Sequence, residues 1–223
     1  MPRKGFPKKT GLYDPSNEKD SCGVGFVADI KGRRNHQIIL DARDMLESMT
    51  HRGACGCEAN TGDGAGFLTA LPHEFLARVA SEDLGKELPP PGQFAAGLVF
   101  LPQDDEFRRK CKAQVEEIIG SEGQELIGWR PVPTRTVEAD IGPSALASEP
   151  VIEQLFVGAA KGLEGDSFER RLYVIRKRST RLLRSMDHEE AEAFYICSLS
   201  TKVIIYKGQL MSEQVVPYFP DLE

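Results

Sequence analysis

The apolar period of this chain changes from one segment to the next, and the order of those changes is what most narrows its folds. In "CGVGFVAD", Val24, Phe26 and Ala28 alternate with Gly25, Val27 and Asp29, the two-residue period of a short, largely buried strand. In "QIILDARDMLESM" the period lengthens, with Ile39, Ala42, Leu46 and Met49 on one face, which predicts a helix over about 37–49. "FLTAL" then reads as a strand and "PHEFLARVASE" as a helix with proline in its first turn. The pairing recurs in "QFAAGLVFLP", a buried strand, and "DDEFRRKCKAQVEEIIGSEG", an amphipathic helix opened by acidic residues. "QELIGWRPVP" and "PVIEQLFVGAA" read as further strands. "DSFERRLYVIRKRSTRLLRSM" is the longest helix, burying Phe168, Leu172, Ile175, Leu182 and Leu183 with arginines outside. "AFYICSLS" and "KVIIYKG" predict a hairpin across a Ser200–Thr201 turn. No strict strand–helix–strand rhythm runs through this order. It therefore predicts an α+β chain, with antiparallel or mixed sheets and helices on their faces.

Three segments interrupt the pattern. "KGRRNHQ" is a turn, "THRGACGCEANTGDGAG" a long loop too rich in glycine for a regular element, and "DLGKELPPPG" a linker held extended by its prolines. At 223 residues the chain is long enough for one large domain or two small ones, with a real core.

Charge and cysteine usage exclude several roles. A net charge of −6 gives no general attraction to nucleic acid or an anionic membrane. No apolar stretch reaches the roughly 18–20 residues that cross a bilayer. The basic N-terminus is followed by no apolar stretch of a secretory signal. Five cysteines, an odd number in no framework spacing, point to reduced thiols. The expected setting is soluble and intracellular, in the cytoplasm or an organelle.

Two stretches could carry chemistry. Cys22 heads an apolar run behind a polar, turn-prone segment, and is either a small buried hydrophobe or a nucleophile awaiting removal of what precedes it. In the glycine-rich loop, His51, Cys55 and Cys57 are soft metal ligands, but C-x-C is a poor zinc knuckle with no second pair, so no metal is assigned. "GDGAG" lacks the Lys-Ser/Thr of a phosphate cradle and enters a strand rather than opening a helix. Arg52 beside Gly53 offers a rigid fork for a carboxylate, or is simply a solvated arginine in a surface turn. The basic helix "RRLYVIRKRSTRLLR" reads as a solvated face, and Cys111, Cys197 and Trp129 as core.

The order "GLYDPSNEKDSCGVGFVADIKG", a helix, then "MTHRGACGCEANTGDGAGFLTALP" resembles the amino-terminal class II glutamine amidotransferase domain of glutamate synthases, an N-terminal-nucleophile hydrolase. "RRLYVIRKR", "FYICSLSTKVIIYKGQL" and "YFPDL" extend the resemblance over nearly the whole chain. It implies a four-layer αββα sandwich, here incomplete at its C-terminal end, with residues 1–21 a propeptide and 22–223 a partial domain. Cys22 would then be the mature N-terminus. Its own α-amine, of pKa near 8, would take the thiol proton, and Gly23 and Gly25 would leave room beside it. The resemblance further implies L-glutamine as substrate, Arg52 as the grip on its α-carboxylate, and Gly53, Asp63 and Gly64 beside the site. The asparagine–glycine pair of the family's oxyanion hole is not present, and losing one such donor typically costs around 10²–10³ in rate.

No cofactor is expected in this segment. The full-length family protein would use FMN, an iron–sulfur cluster and NAD(P)H or ferredoxin, and its synthase domain would be the partner that receives ammonia to aminate 2-oxoglutarate. Two alternatives stand beside the enzyme module. One is a non-catalytic fragment that acts through partner binding at an uncovered sheet edge. The other is a free-standing amidohydrolase of the same nucleophile class.

Overall fold

The computed structural model describes residues 9–12, 14, 22–50 and 58–223. Among the described residues the first regular element is α1 (Gln37–Ser48), followed by β1 (Ala65–Ala70), α2 (His73–Leu84), β2 (Phe94–Leu101), α3 (Asp105–Ser121) and β3 (Glu125–Pro131). The order continues with α4 (Pro143–Ala147), β4 (Val151–Gly158), α5 (Gly165–Arg184), β5 (Tyr195–Ile196), β6 (Val203–Gly208) and a last short helix, α6 (Val215–Tyr218). Asp104 caps α3 by accepting from the Phe107 amide at 2.6 Å, as an acidic first turn requires.

The strands form two antiparallel sheets, and the chain is of α+β class. The larger has the order β3-β4-β2-β5, with Phe94 opposite Gly158 and Leu101 opposite Val151. The smaller pairs β1 with β6, from Ala65 opposite Gly208 to Ala70 opposite Val203. Because side chains alternate across a strand, β2 feeds two cores. Ala95, Val99 and Leu101 join Phe107, Cys111, Phe168 and Leu172 under α3 and α5. Phe94, Ala96 and Leu98 join Phe67, Ile204 and Tyr206 of the small sheet and Leu76 of α2. Among the described residues no helix is long and apolar enough to cross a membrane.

Four sequence expectations are corrected. The strand at Val24–Asp29 does not form: residues 22–29 have no regular structure, and Val24 and Phe26 are 92% and 89% exposed. Alternation prepares a segment for a ladder but does not supply the partner strand, and the described residues pair none with it. The hairpin over Ser200–Thr201 is instead a corner between the sheets. β5 pairs with β2 while β6 pairs with β1. The corner passes so close to β2 that a Cβ at Gly97 would overlap the Ser198 carbonyl. In α5 the buried stripe is Phe168, Leu172, Ile175, Ser179 and Leu183, and Leu182 is 40% exposed because it lies one helical step off that line. Trp129 is only partly buried, its Nε1 donating to Glu116 at 2.9 Å and Lys112 lying over its ring. Helix α4, opened by Pro143 within "IGPSALASEP", had no apolar period to announce it.

Candidate active site

The segment that carries Cys22 leads into α1 through a turn built by Asp29. Its carboxylate accepts from the Lys31 amide at 2.8 Å and from the Arg33 guanidinium at 2.8 and 3.1 Å, while Gly32 takes the positive φ of 67°. The Arg33 bonds hold the Asp29 carboxyl below its ordinary pKa. Gly25 lies against α1, where a Cβ would fall 2.5 Å from the Met45 sulfur. The start of α1 is tied down twice. His36 Nε2 donates to the Leu222 carbonyl at 3.1 Å, and the neighbouring Arg34 donates to His73 Nδ1 at 2.9 Å. The other ring nitrogen of His73 is buried without a hydrogen-bond partner among the described residues, and burial, then Arg34, keeps this imidazole below its ordinary pKa.

The exit of the glycine-rich loop is fixed by polar clamps. The Glu58 carboxylate accepts from the Ser144 hydroxyl at 2.6 Å, from the Ser144 amide at 3.2 Å and from the Thr61 hydroxyl. Those bonds, the Ser144 hydroxyl foremost, lower its pKa. Gln214, 5% exposed, donates to the carbonyls of Asn60 and Asp140 at 3.0 and 2.9 Å and accepts from the Met211 amide at 2.7 Å. Three loops converge on one amide. Below it, Arg130 forms a buried two-point ion pair with Asp221 at 2.7 and 3.0 Å, and the Tyr206 hydroxyl donates to the same carboxylate at 3.0 Å. Burial works to lower the Arg130 pKa, but the bonds to Asp221 and Asp83 outweigh it and the guanidinium stays charged.

The expected site residues fall into three groups. Cys22 is exposed, whereas burial pushes the Cys111 and Cys197 thiols up to about 11 and about 12. Among the described cysteines, Cys22 is the one an amide substrate can reach. Asp63 and Gly64 are exposed at the entry to β1, with Gly64 at φ 136° facing the Gly208 carbonyl. Arg52 and Gly53 lie outside the described residues, as do His51, Cys55 and Cys57. Among the described residues no group of three His, Cys, Asp or Glu side chains converges as a metal site.

A cavity of about 200 Å³ opens under the Gly208–Leu210 turn, beside the backbone that Gly62 and Gly64 touch. Phe100, Ile152 and Leu210 line it, together with the polar ends of Lys207, Glu149 and Tyr218. The Tyr218 hydroxyl donates to Glu149 at 2.6 Å, and burial raises its pKa. The Lys207 ammonium donates to the Tyr195 hydroxyl at 3.0 Å. Sequence reasoning missed Glu58, Arg130 and Gln214. Glu58 and Gln214 stand in segments without period, and Arg130 in a strand whose apolar pattern says nothing of its partner; the one available signal was a polar residue beside apolar ones.

Residues 22–223 match the family of class II glutamine amidotransferases. The chain is 41% identical over 223 residues to a glutamate synthase [NADH] of Schizosaccharomyces pombe, covering 97% of this chain and 10% of that protein. It is 39% identical over 219 residues to the glutamate synthase [NADPH] large chain of Bacillus subtilis, covering 98% and 14%. It is 38% identical over 209 residues to ferredoxin-dependent glutamate synthase 2 of Synechocystis, covering 92% and 13%. The chain thus spans between 10% and 14% of the length of these relatives.

Proposed function

The chain belongs to the class II glutamine amidotransferases, and we propose that it is the glutamine-hydrolysing module of a glutamate synthase, with Cys22 as nucleophile. One observation carries this. The family match begins at Cys22, which is also the accessible thiol among the described cysteines. Residues 1–21 are then a propeptide. Its removal frees an α-amine that takes the thiol proton, so nucleophile and base belong to one residue. The thiolate attacks the side-chain amide carbon of glutamine, and the tetrahedral intermediate expels ammonia as the C–N bond breaks and the protonated α-amine returns its proton to the leaving nitrogen. The resulting γ-glutamyl thioester is hydrolysed by water to glutamate and the free thiol. Arg52 holds the α-carboxylate in two parallel hydrogen bonds, with Gly53, Asp63 and Gly64 at the rim.

The ammonia is passed to the synthase portion of the full-length protein, which aminates 2-oxoglutarate. The setting is soluble and intracellular. The four-layer αββα arrangement is part of the same proposal. It is supported by α3 and α5 on one face of the large sheet, and by the small sheet and α1 packed into the core of the other.

The test is ammonia release from glutamine by the natural protein, together with N-terminal sequencing. The mature chain is expected to read Cys-Gly-Val-Gly, Cys22→Ala to abolish release, and Arg52→Lys to raise KM with little change in stability. Release that persists in Cys22→Ala removes Cys22 from the chemistry. An unchanged KM in Arg52→Lys removes Arg52 from the site.

A second reading, a chain that binds a partner without turnover, is favoured by one observation. Val24, Phe26 and Ile30 stand exposed on the segment that must hold the nucleophile. The same assay separates the two, because a partner-binding chain releases no ammonia even when processed at Cys22.

A further inference from the structure

Helix α5 carries seven cations, Arg170, Arg171, Arg176, Lys177, Arg178, Arg181 and Arg184, against two carboxylates, Asp166 and Glu169. Both carboxylates are engaged elsewhere. Asp166 pairs with Lys202 at 3.1 Å, and Glu169 accepts from the Ser200 hydroxyl, the Thr201 hydroxyl and the Thr201 amide at the corner between the sheets. Across from the helix, Glu122 takes both Arg171 and Arg178. Arg184 donates to the carbonyls of Phe194 and Glu192, and Arg176 lies 5.8 Å from the centre of the Tyr173 ring.

Arg170, Lys177 and Arg181 are exposed and joined to no carboxylate by an ion pair among the described residues, although Arg170 donates to the Ser167 hydroxyl at 3.3 Å and its charge acts on Asp166. Together with Tyr173, 55% exposed, their spacing of three, four and four residues lines them up on one face of the helix. The line runs about 16 Å at 1.5 Å per residue. The Lys177 ammonium stands 5.7 Å from the Tyr173 ring, and Leu182, 40% exposed, flanks the line. A solvated basic helix, the sequence expectation, needs no such arrangement. Exposed arginines beside an exposed tyrosine are residue types enriched at protein interfaces.

We propose that this face of α5 docks an acidic protein surface. Like charge keeps it from pairing with its own copy around a two-fold axis. A nucleic acid would run beyond the line onto a chain whose net charge is −6, whereas a compact acidic patch matches the line and stops.

The natural protein is titrated by fluorescence anisotropy with a labelled oligoglutamate peptide about five residues long, roughly the reach of the line when extended, and with a single-stranded RNA of equal charge. The triple variant Arg170→Glu/Lys177→Glu/Arg181→Glu is expected to weaken peptide binding at least about tenfold more than the double variant Arg109→Glu/Lys110→Glu on α3. Tyr173→Ala is expected to weaken it about threefold to tenfold. Should the triple variant lose its circular dichroism signature, the single variant Lys177→Gln is compared with Lys110→Gln in its place, with a loss confined to Lys177→Gln expected. Equal losses at α3 and α5, no loss in Tyr173→Ala, or RNA bound as tightly as the peptide through these residues would each overturn the assignment.

Discussion

Both faces of the large sheet bury an apolar core, and they differ in what is fastened over it. Under α3 and α5 the contacts are apolar and closed, with Phe168, Leu172, Ile175, Val115 and Ile119 all buried. On the other face the elements that carry the candidate site are fastened by polar clamps, among them Arg130–Asp221–Tyr206, Gln214 to two carbonyls, Glu58 to Ser144 and His36 to Leu222. Helix α1 buries no residue fully there, although Ile39, Ala42 and Leu46 pack against the core. The lesson concerns the two jobs. Apolar packing is insensitive to direction and makes a stable wall, whereas hydrogen bonds to carbonyls and carboxylates fix loop positions to tenths of an ångström, which a site needs.

The largest test of this contrast sets Phe168→Ala against Phe26→Ala. The first is expected to cost about 3–5 kcal/mol, the usual loss for a buried phenylalanine, and the second less than about 0.5 kcal/mol, as for an exposed one. Urea unfolding of both variants measures it. A loss of more than about 2 kcal/mol in Phe26→Ala would show that the Cys22 segment packs in solution and would erase the contrast.

Removing a clamp comes next. Asp221→Asn leaves the buried Arg130 with one carboxylate, the half-exposed Asp83, beside the neutral Gln154, and a loss of about 3 kcal/mol is expected, because a buried charge stripped of its main counter-charge is costly. A loss below about 1 kcal/mol would mean that the apolar core holds this face without help from the clamp.

The smallest effect is a dependence on pH. His73 has a folded-state pKa below its ordinary value, so as pH falls through about 6.5 the unfolded chain takes up a proton before the folded one does. Stability therefore declines until the folded imidazole also titrates, and is constant below that. Unfolding midpoints at pH 7.5 and 5.5 are expected to fall further apart in the natural chain than in His73→Gln. Parallel midpoints would remove the Arg34–His73 contact from the fastenings of this face.

Much of the wall was legible. The helices at Gln37–Ser48, His73–Leu84, Asp105–Ser121 and Gly165–Arg184 and the strands at Phe94–Leu101, Glu125–Pro131 and Val151–Gly158 follow from apolar spacing, apolar runs and helix-start residues, all of them written in each element's own residues. The candidate site was legible in a different way. Cys22, Asp63 and Gly64 stand in two quoted blocks whose resemblance to the amidotransferases is borne out by the family match, while Arg52 and Gly53 lie outside the described residues.

By itself the sequence determined the helices and most strands, the α+β class and the family, because these depend on short-range period and on side-chain identity. Only the tertiary structure decided which strands share a sheet. The corner at Ser200–Thr201 sends β5 to β2 and β6 to β1, and Glu169, more than thirty residues earlier, holds it through the Thr201 amide and the Ser200 and Thr201 hydroxyls. It also decided that Val24 and Phe26 stay exposed, and that Gln214 and Arg130 reach partners 74 or more residues away. A hydrogen bond between distant residues leaves no local period. It exists only once packing has brought donor and acceptor within about 3 Å.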